Sequence, residues 1–180
     1  MRYVALLRGI NVGGNRILPM KDLTAIFTGL GCADVQTFIQ SGNVVFSASA
    51  ALAKGLPAQA HKAIEAKSGF SVPIALRSAT EMAAIVKGNP YAKSAATESL
   101  HVAFLAATPA PTLAKAMVNP GVDGEKFELI GSEIYLMFPK GLAKTKVTNA
   151  YFDSKLKTIS TVRNWRSTLT LLEMAQGGKA

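Results

Sequence analysis

The sequence predicts an α+β protein of two tandem βαββαβ halves, with a linker helix inserted between them and a further helix at the C-terminus. Three observations predict it. Short apolar runs of strand character alternate with stretches of helical periodicity, in the same order twice. Two hairpin signals, Ser41-Gly42-Asn43 and Gly131-Ser132, recur about 90 residues apart. Between the two series lies Ser78-Ala79-Thr80-Glu81, a capping box that opens a helix of its own.

The first half opens with Tyr3-Val4-Ala5-Leu6-Leu7-Arg8, a short apolar run closed by Gly9 that suits a buried strand. A polar, glycine-rich loop follows from Gly9 to Arg16. Pro19 suits the first turn of a helix. Met20, Leu23, Ile26, Phe27 and Leu30 then repeat at helical spacing, and Gly31 closes the helix. Val35–Gln40 and Val44–Phe46 flank the first hairpin signal, where Gly and Asn tolerate positive φ. A second helix is expected from about Leu56 to Lys67, ended by Ser68-Gly69, and a strand from Ser71 to Leu76. This order is the ferredoxin-like plan. The capping box then starts the linker helix, which Gly88-Asn89-Pro90 stops; residues 91–99 are polar.

The order begins again with a strand from Leu100 to Ala106. A helix starting at Thr108-Pro109 carries Leu113, Met117 and Val118. Phe127–Ile130 and Glu133–Phe138 form the second hairpin. A helix near Ala143–Phe152 and a short strand near Leu156–Ile159 complete the set. The last helix is expected from about Thr161 to Ala175, with Trp165, Leu169, Leu172 and Ala175 on one stripe and Trp165 as a core anchor. The expected division is therefore residues 1–77, a linker helix and loop at 78–99, and residues 100–180 with the C-terminal helix.

Composition limits the function classes. A chain of 180 residues buries about 70% of its unfolded surface, enough for a core without staples. No apolar run reaches the roughly 20 residues that span a bilayer, and the N-terminus lacks a secretory apolar region with a cleavage site. A cytoplasmic location is expected, with no membrane partner. One cysteine, Cys32, and two histidines, His61 and His101, give no basis for an intramolecular disulfide or a common zinc site. No metal and no cofactor are expected. The formal net charge is +9, which favours anionic partners.

Several of these stretches carry a resemblance. Leu6-Leu7-Arg8-Gly9-Ile10-Asn11-Val12-Gly13-Gly14-Asn15 resembles the signature of the bacterial "domain of unknown function 1697" proteins. So do Met20-Lys21-Asp22-Leu23, Val35 through Phe46, and Ser160-Thr161-Val162-Arg163-Asn164-Trp165-Arg166. The likeness spans nearly the whole chain. It implies a tandem ferredoxin-like fold and supplies no activity that could be carried over.

Three clusters are candidates for chemistry. At the start of the expected last helix, Ser160 or Thr161 is a good N-cap. The first turn of a helix favours acids, yet here it holds Arg163 and Arg166, with Asn164 between them. No acid lies between Asp153 and Glu173. Free N–H groups and guanidinium groups together favour an anion. The second cluster is the loop Arg8-Gly9-Ile10-Asn11-Val12-Gly13-Gly14-Asn15-Arg16, whose glycines let backbone N–H groups converge on an anion. Arg8 is either paired for structure or aimed into a site. The third is Ser41-Gly42-Asn43, where Ser41 and Asn43 either serve hairpin geometry or face the Arg8 loop. The candidate ligand residues are thus Arg8, Asn11, Gly13, Gly14, Ser41, Asn43, Arg163, Asn164 and Arg166.

Acid–base candidates are thin. Cys32 follows a helix C-terminus, the wrong end for activating a thiol. Neither His61 nor His101 has a nucleophile beside it in sequence, and Glu125, Glu128 and Glu133 alternate as a solvated face. Three function classes follow: a binding protein for a phosphate-bearing or other anionic ligand, nucleic acid included; an enzyme acting on a small anionic substrate; and a structural or partner-binding protein. The strands lack the aromatic pattern of an RNA-stacking sheet.

Overall fold

The computed structural model describes residues 1–119, 124–142 and 145–178. The chain divides into two compact units: Met1–Ala84 with the chain from Thr170 onward, and Ile85–Leu169. Among the described residues the fold is mixed α+β, with two four-stranded antiparallel sheets and six α-helices.

The first unit runs β1 (Arg2–Leu7), α1 (Met20–Gly29), β2 (Ala33–Phe38), β3 (Asn43–Ser47), α2 (Ala50–Ser68) and β4 (Ile74–Ser78), before α3 (Ala79–Lys87). Its sheet has the order β2-β3-β1-β4. Alternation decides its faces. Tyr3, Ala5, Leu7, Val44 and Phe46 point into a core that also takes Leu23 and Phe27 of α1 and Leu56, Ala60 and Ile64 of α2. The helical residues recur every three or four positions, so one stripe of each helix meets the sheet. Val4, Leu6 and Val45, on the alternate positions, are also fully buried.

The helix ends follow from local chemistry. Helix α1 ends as Gly31, at φ +92, donates to the Thr28 carbonyl while Cys32 donates to Phe27. This is a Schellman closure, and glycine supplies its left-handed residue. Helix α2 starts six residues before the expected Leu56, because Ser49 accepts from the Leu52 N–H and caps it. Pro57 lies inside the helix. Strand β4 lies two to three residues later than expected. The capping box is as the sequence predicts: Ser78 Oγ accepts from the Glu81 N–H, and Glu81 Oε2 accepts from the Ser78 N–H.

The second unit contains β5 (Leu100–Leu105), α4 (Pro111–Lys115), β6 (Lys126–Ile130), β7 (Glu133–Met137), α5 (Asn149–Leu156) and β8 (Ser160–Asn164). Its sheet order, β6-β7-β5-β8, repeats that of the first unit four strands on. Ala103, Leu105, Ile134, Leu136, Phe138, Phe152 and Leu156 form its core. Helix α6 (Trp165–Ala175) starts in this unit and ends in the first.

Four expectations fail here. The helix expected from Thr108-Pro109 through Met117 and Val118 spans only Pro111–Lys115. The helix expected at Ala143–Phe152 is found at Asn149–Leu156, where Thr148 Oγ1 caps it by accepting from Tyr151; Ala143 and Lys144 lie outside the described residues. The strand expected at Leu156–Ile159 lies at Ser160–Asn164, since α5 continues to Leu156 and Lys157 turns the chain at φ +54. The last helix starts at Trp165, not Thr161. Its buried residues are Trp165, Ser167, Thr168, Leu171, Met174 and Ala175, while Leu169 is exposed.

Candidate functional site

The C-terminal end of β1 collects two of the three sequence clusters. Leu6 pairs with Asn43, so the tip of the β2–β3 hairpin stands beside the start of the glycine-rich loop. The Leu7 N–H donates to the Gly42 carbonyl at 2.8 Å, and the Arg8 N–H donates to the Pro73 carbonyl at 3.0 Å. Gly42 sits at φ +78, and a Cβ there would lie 2.7 Å from Leu7 Cβ and 3.1 Å from Ile10. Only glycine lets hairpin and loop approach this closely.

Asn11 holds the loop to the hairpin. Its Oδ1 accepts from the Leu18 N–H at 2.8 Å, and its Nδ2 donates to the carbonyls of Leu18 at 3.0 Å and Gln40 at 2.9 Å. The Asn11 N–H donates to the Arg16 carbonyl and the Asn15 N–H to that of Val12. Gly13 and Gly14 form the tip between them, both at positive φ. That is the signature of a type I′ turn. Neither glycine has any atom within 4 Å of where a Cβ would sit, so the tip is open. Asn43 is fully buried, and its Nδ2 donates to the Phe38 carbonyl and to Ser41 Oγ at 2.9 Å. The guanidinium of Arg16 lies over the Phe70 ring, 5.2 Å from its centroid, a cation–π contact.

Left-handed backbone is concentrated in these two segments. Gly9, Asn11, Gly13, Gly14, Arg16, Ile39 and Gly42 all have positive φ. For a β-branched residue such as Ile39 this conformation is strained. Asn11, Ile17, Leu18, Pro19, Met20 and Gln40 line a cleft of about 340 Å³. Val12, Ile17 and Ile39 expose more than half of their surface. No acid occurs in the chain before Asp22.

The remaining three candidates, Arg163, Asn164 and Arg166, belong to the second unit, at the junction of β8 and α6. Arg163 is a strand residue opposite Val102, only 8% exposed. Its Nη1 donates to Thr161 Oγ1 at 2.8 Å and to the Val162 carbonyl at 2.9 Å. Burial lowers its pKa to about 10. It is therefore not a first-turn helix arginine. Asn164 caps α6, with Oδ1 accepting from the Ser167 N–H at 2.7 Å. Arg166 is exposed and forms an ion pair with Glu98. Hydrogen bonding from the chain's own backbone and from Arg166 holds the Glu98 carboxyl below the usual range.

The sequence reading missed Arg77. It faces Val4 in β4 as Arg163 faces Val102 in β8, is 7% exposed, and donates from Nη1 to the Leu76 carbonyl at 2.8 Å. Each arginine is followed by the residue that caps the next helix, Ser78 or Asn164. The parallel Arg77-Ser78 and Arg163-Asn164 was the available signal. Among the described residues no group of three or more His, Cys, Asp or Glu side chains is placed to hold a metal ion. No helix among them is long and apolar enough to cross a membrane.

The geometry defines an α+β protein with two like sheets and a strained, acid-free loop at one end of the first. The chain belongs to the DUF1697 family, described as proteins of unknown function, whose model matches residues 1–135. The Ser160–Arg166 stretch lies beyond that span. Among solved structures the chain is similar to a conserved bacterial protein from Streptococcus pneumoniae. Identity is 20% over 97% of this chain and 98% of that one, with a TM-score of 0.65. That likeness bears on fold alone. A search of curated proteins finds no match.

Proposed function

We propose that this protein binds a phosphate-bearing or similar anionic ligand, nucleic acid included, at the loop–hairpin end of its first unit. The observation that carries the reading is the concentration of left-handed backbone in two touching segments that contain Arg8 and Arg16 and no acid. In this reading the Gly13 and Gly14 N–H groups and the arginines meet the ligand. Asn11 holds the loop against the hairpin, and Ser41 and Asn43 brace the hairpin itself. Arg163, Asn164 and Arg166 support the reading less, since Arg166 already meets Glu98; we give Arg163 and Asn164 a positioning role at the β8–α6 junction.

The repeated element order and the repeated sheet order support a tandem ferredoxin-like plan, divided at residues 1–77, 78–99 and 100–180. A single cysteine, buried and free, fits a cytoplasmic protein. A second reading, a partner-binding protein, is favoured by the exposed Val12, Ile17 and Ile39 around the cleft.

Inorganic pyrophosphate and a fluorescent single-stranded RNA ten-mer test the main reading by calorimetry and anisotropy at low salt. Binding that weakens at least tenfold in Arg16→Ala and falls steeply with added salt supports it. Absence of binding to both probes at low salt would falsify it.

A further inference from the structure

The sequence leaves His61 without a neighbouring nucleophile, but the fold supplies one. Helix α2 carries His61 to the segment between Gly69 and β4. There its Nδ1 lies 3.1 Å from the Val72 carbonyl and its Nε2 lies 3.4 Å from Ser71 Oγ. A carbonyl oxygen only accepts, so Nδ1 bears the proton. In the neutral ring Nε2 is then an acceptor, facing the serine hydroxyl. A nucleophile, a base and a group that fixes the base's tautomer are the three parts of an activated serine. The Val72 carbonyl fills the third role, as a carboxylate does elsewhere. Ser71 is exposed and His61 half-buried, so the hydroxyl is open to substrate while the ring is held. The 3.4 Å separation is long for a formed bond, as such contacts are before substrate arrives.

The surroundings give the substrate class. Phe70, next to Ser71, carries the Arg16 guanidinium over its ring. The Arg16 side chain also reaches Gly9, with Nη1 3.6 Å from where a Cβ would sit. The Arg8 N–H is bonded to Pro73, two residues beyond Ser71. The dyad and the glycine-rich loop therefore share one end of the sheet.

We infer that Ser71 and His61 form a catalytic dyad that hydrolyses carboxylic esters bearing an anionic group, with Arg16 holding that group. The substrate class rests on the anion-site reading above; the dyad itself does not. Ser71 Oγ bonds to the ester carbonyl carbon as its proton passes to His61 Nε2. The ester C–O bond breaks, and the leaving alkoxide takes that proton. Water then attacks the acyl-serine, gives a proton to His61, and releases the acid as Ser71 recovers its hydroxyl. One ester and one water give one acid and one alcohol.

The test uses the intact protein with a fluorophosphonate probe, p-nitrophenyl acetate as a neutral ester and mono(4-nitrophenyl) succinate as an anionic one. Peptide mass spectrometry is expected to place the phosphonyl and acyl groups on Ser71, with none in Ser71→Ala, an exposed and conservative change. In His61→Gln the labelling rate should fall about 100-fold, the usual share of a general base. If that variant does not fold, the position of the label in the unsubstituted protein and its loss in Ser71→Ala decide the matter. Arg16→Ala should raise KM for the succinate ester several-fold more than KM for the acetate. No label on Ser71, while pyrophosphate still binds, overturns the dyad and leaves the anion site. A labelled Ser71 with equal kcat/KM for both esters, unmoved by Arg16→Ala, overturns the anionic substrate class and leaves the dyad.

Discussion

Replacing Gly42 by alanine tests whether the hairpin and the loop are held as one piece. Two costs apply. At φ +78 an L-residue is disfavoured by about 1–2 kcal/mol. The new Cβ would also meet Leu7 Cβ at 2.7 Å and Ile10 at 3.1 Å. Both neighbours are fully buried and have little room to yield, and overpacking of this kind costs about 1–3 kcal/mol. Together the loss is about 2–5 kcal/mol. The control is Gly14→Ala, at φ +76 with no atom within 4 Å of the new Cβ; it should lose only the backbone part, about 1–2 kcal/mol. Urea unfolding followed by circular dichroism reads the difference. In a chain this size the thermal midpoint moves about 2–4 °C per kcal/mol, so Gly42→Ala should melt roughly 4–20 °C lower than the native protein. Equal losses in the two variants would refute the close approach of hairpin and loop.

Three further outcomes are expected. Asn11→Ala removes three side-chain hydrogen bonds and should destabilise by about 2–3 kcal/mol, read as a lower urea midpoint together with faster proteolysis in the Gly9–Leu18 loop. His101 is buried with Nδ1 lacking a hydrogen-bond partner, and burial lowers its pKa below 6.5. The unfolded chain therefore binds a proton that the folded one does not, so stability is lost as pH falls below about 6.5; His101→Phe should flatten that slope in urea titrations from pH 7 to pH 5. Arg166→Ala breaks an exposed ion pair with Glu98, and such pairs contribute little, so the urea midpoint should stay where it is.

The elements with local signals were legible in the sequence. Gly31 closes α1 and the Ser78–Glu81 box opens α3 because both motifs act through neighbouring backbone groups. The two hairpins fall within a few residues of expectation for the same reason. The misplaced elements depend on context. Ser160-Thr161-Val162-Arg163 reads as a capped helix start, but pairing with β5 makes it a strand, and Arg163 then turns into the buried side with Val102. Helix α2 begins six residues before expectation, where Ser49 caps it. The meeting of the glycine-rich loop with the Ser41-Gly42-Asn43 hairpin depended on strand register, since the Leu6–Asn43 pair sets which end of the sheet the hairpin tip occupies. Ser71 and His61 lie ten residues apart, on no common helix face, so only tertiary structure joins them.

The most direct measurement is the movement of backbone amide resonances as inorganic pyrophosphate is added at low salt. The account predicts saturable shifts at Gly13, Gly14 and Arg16, with Arg16→Ala abolishing them. Shifts scattered over the exposed lysines of both units, without saturation, would contradict it.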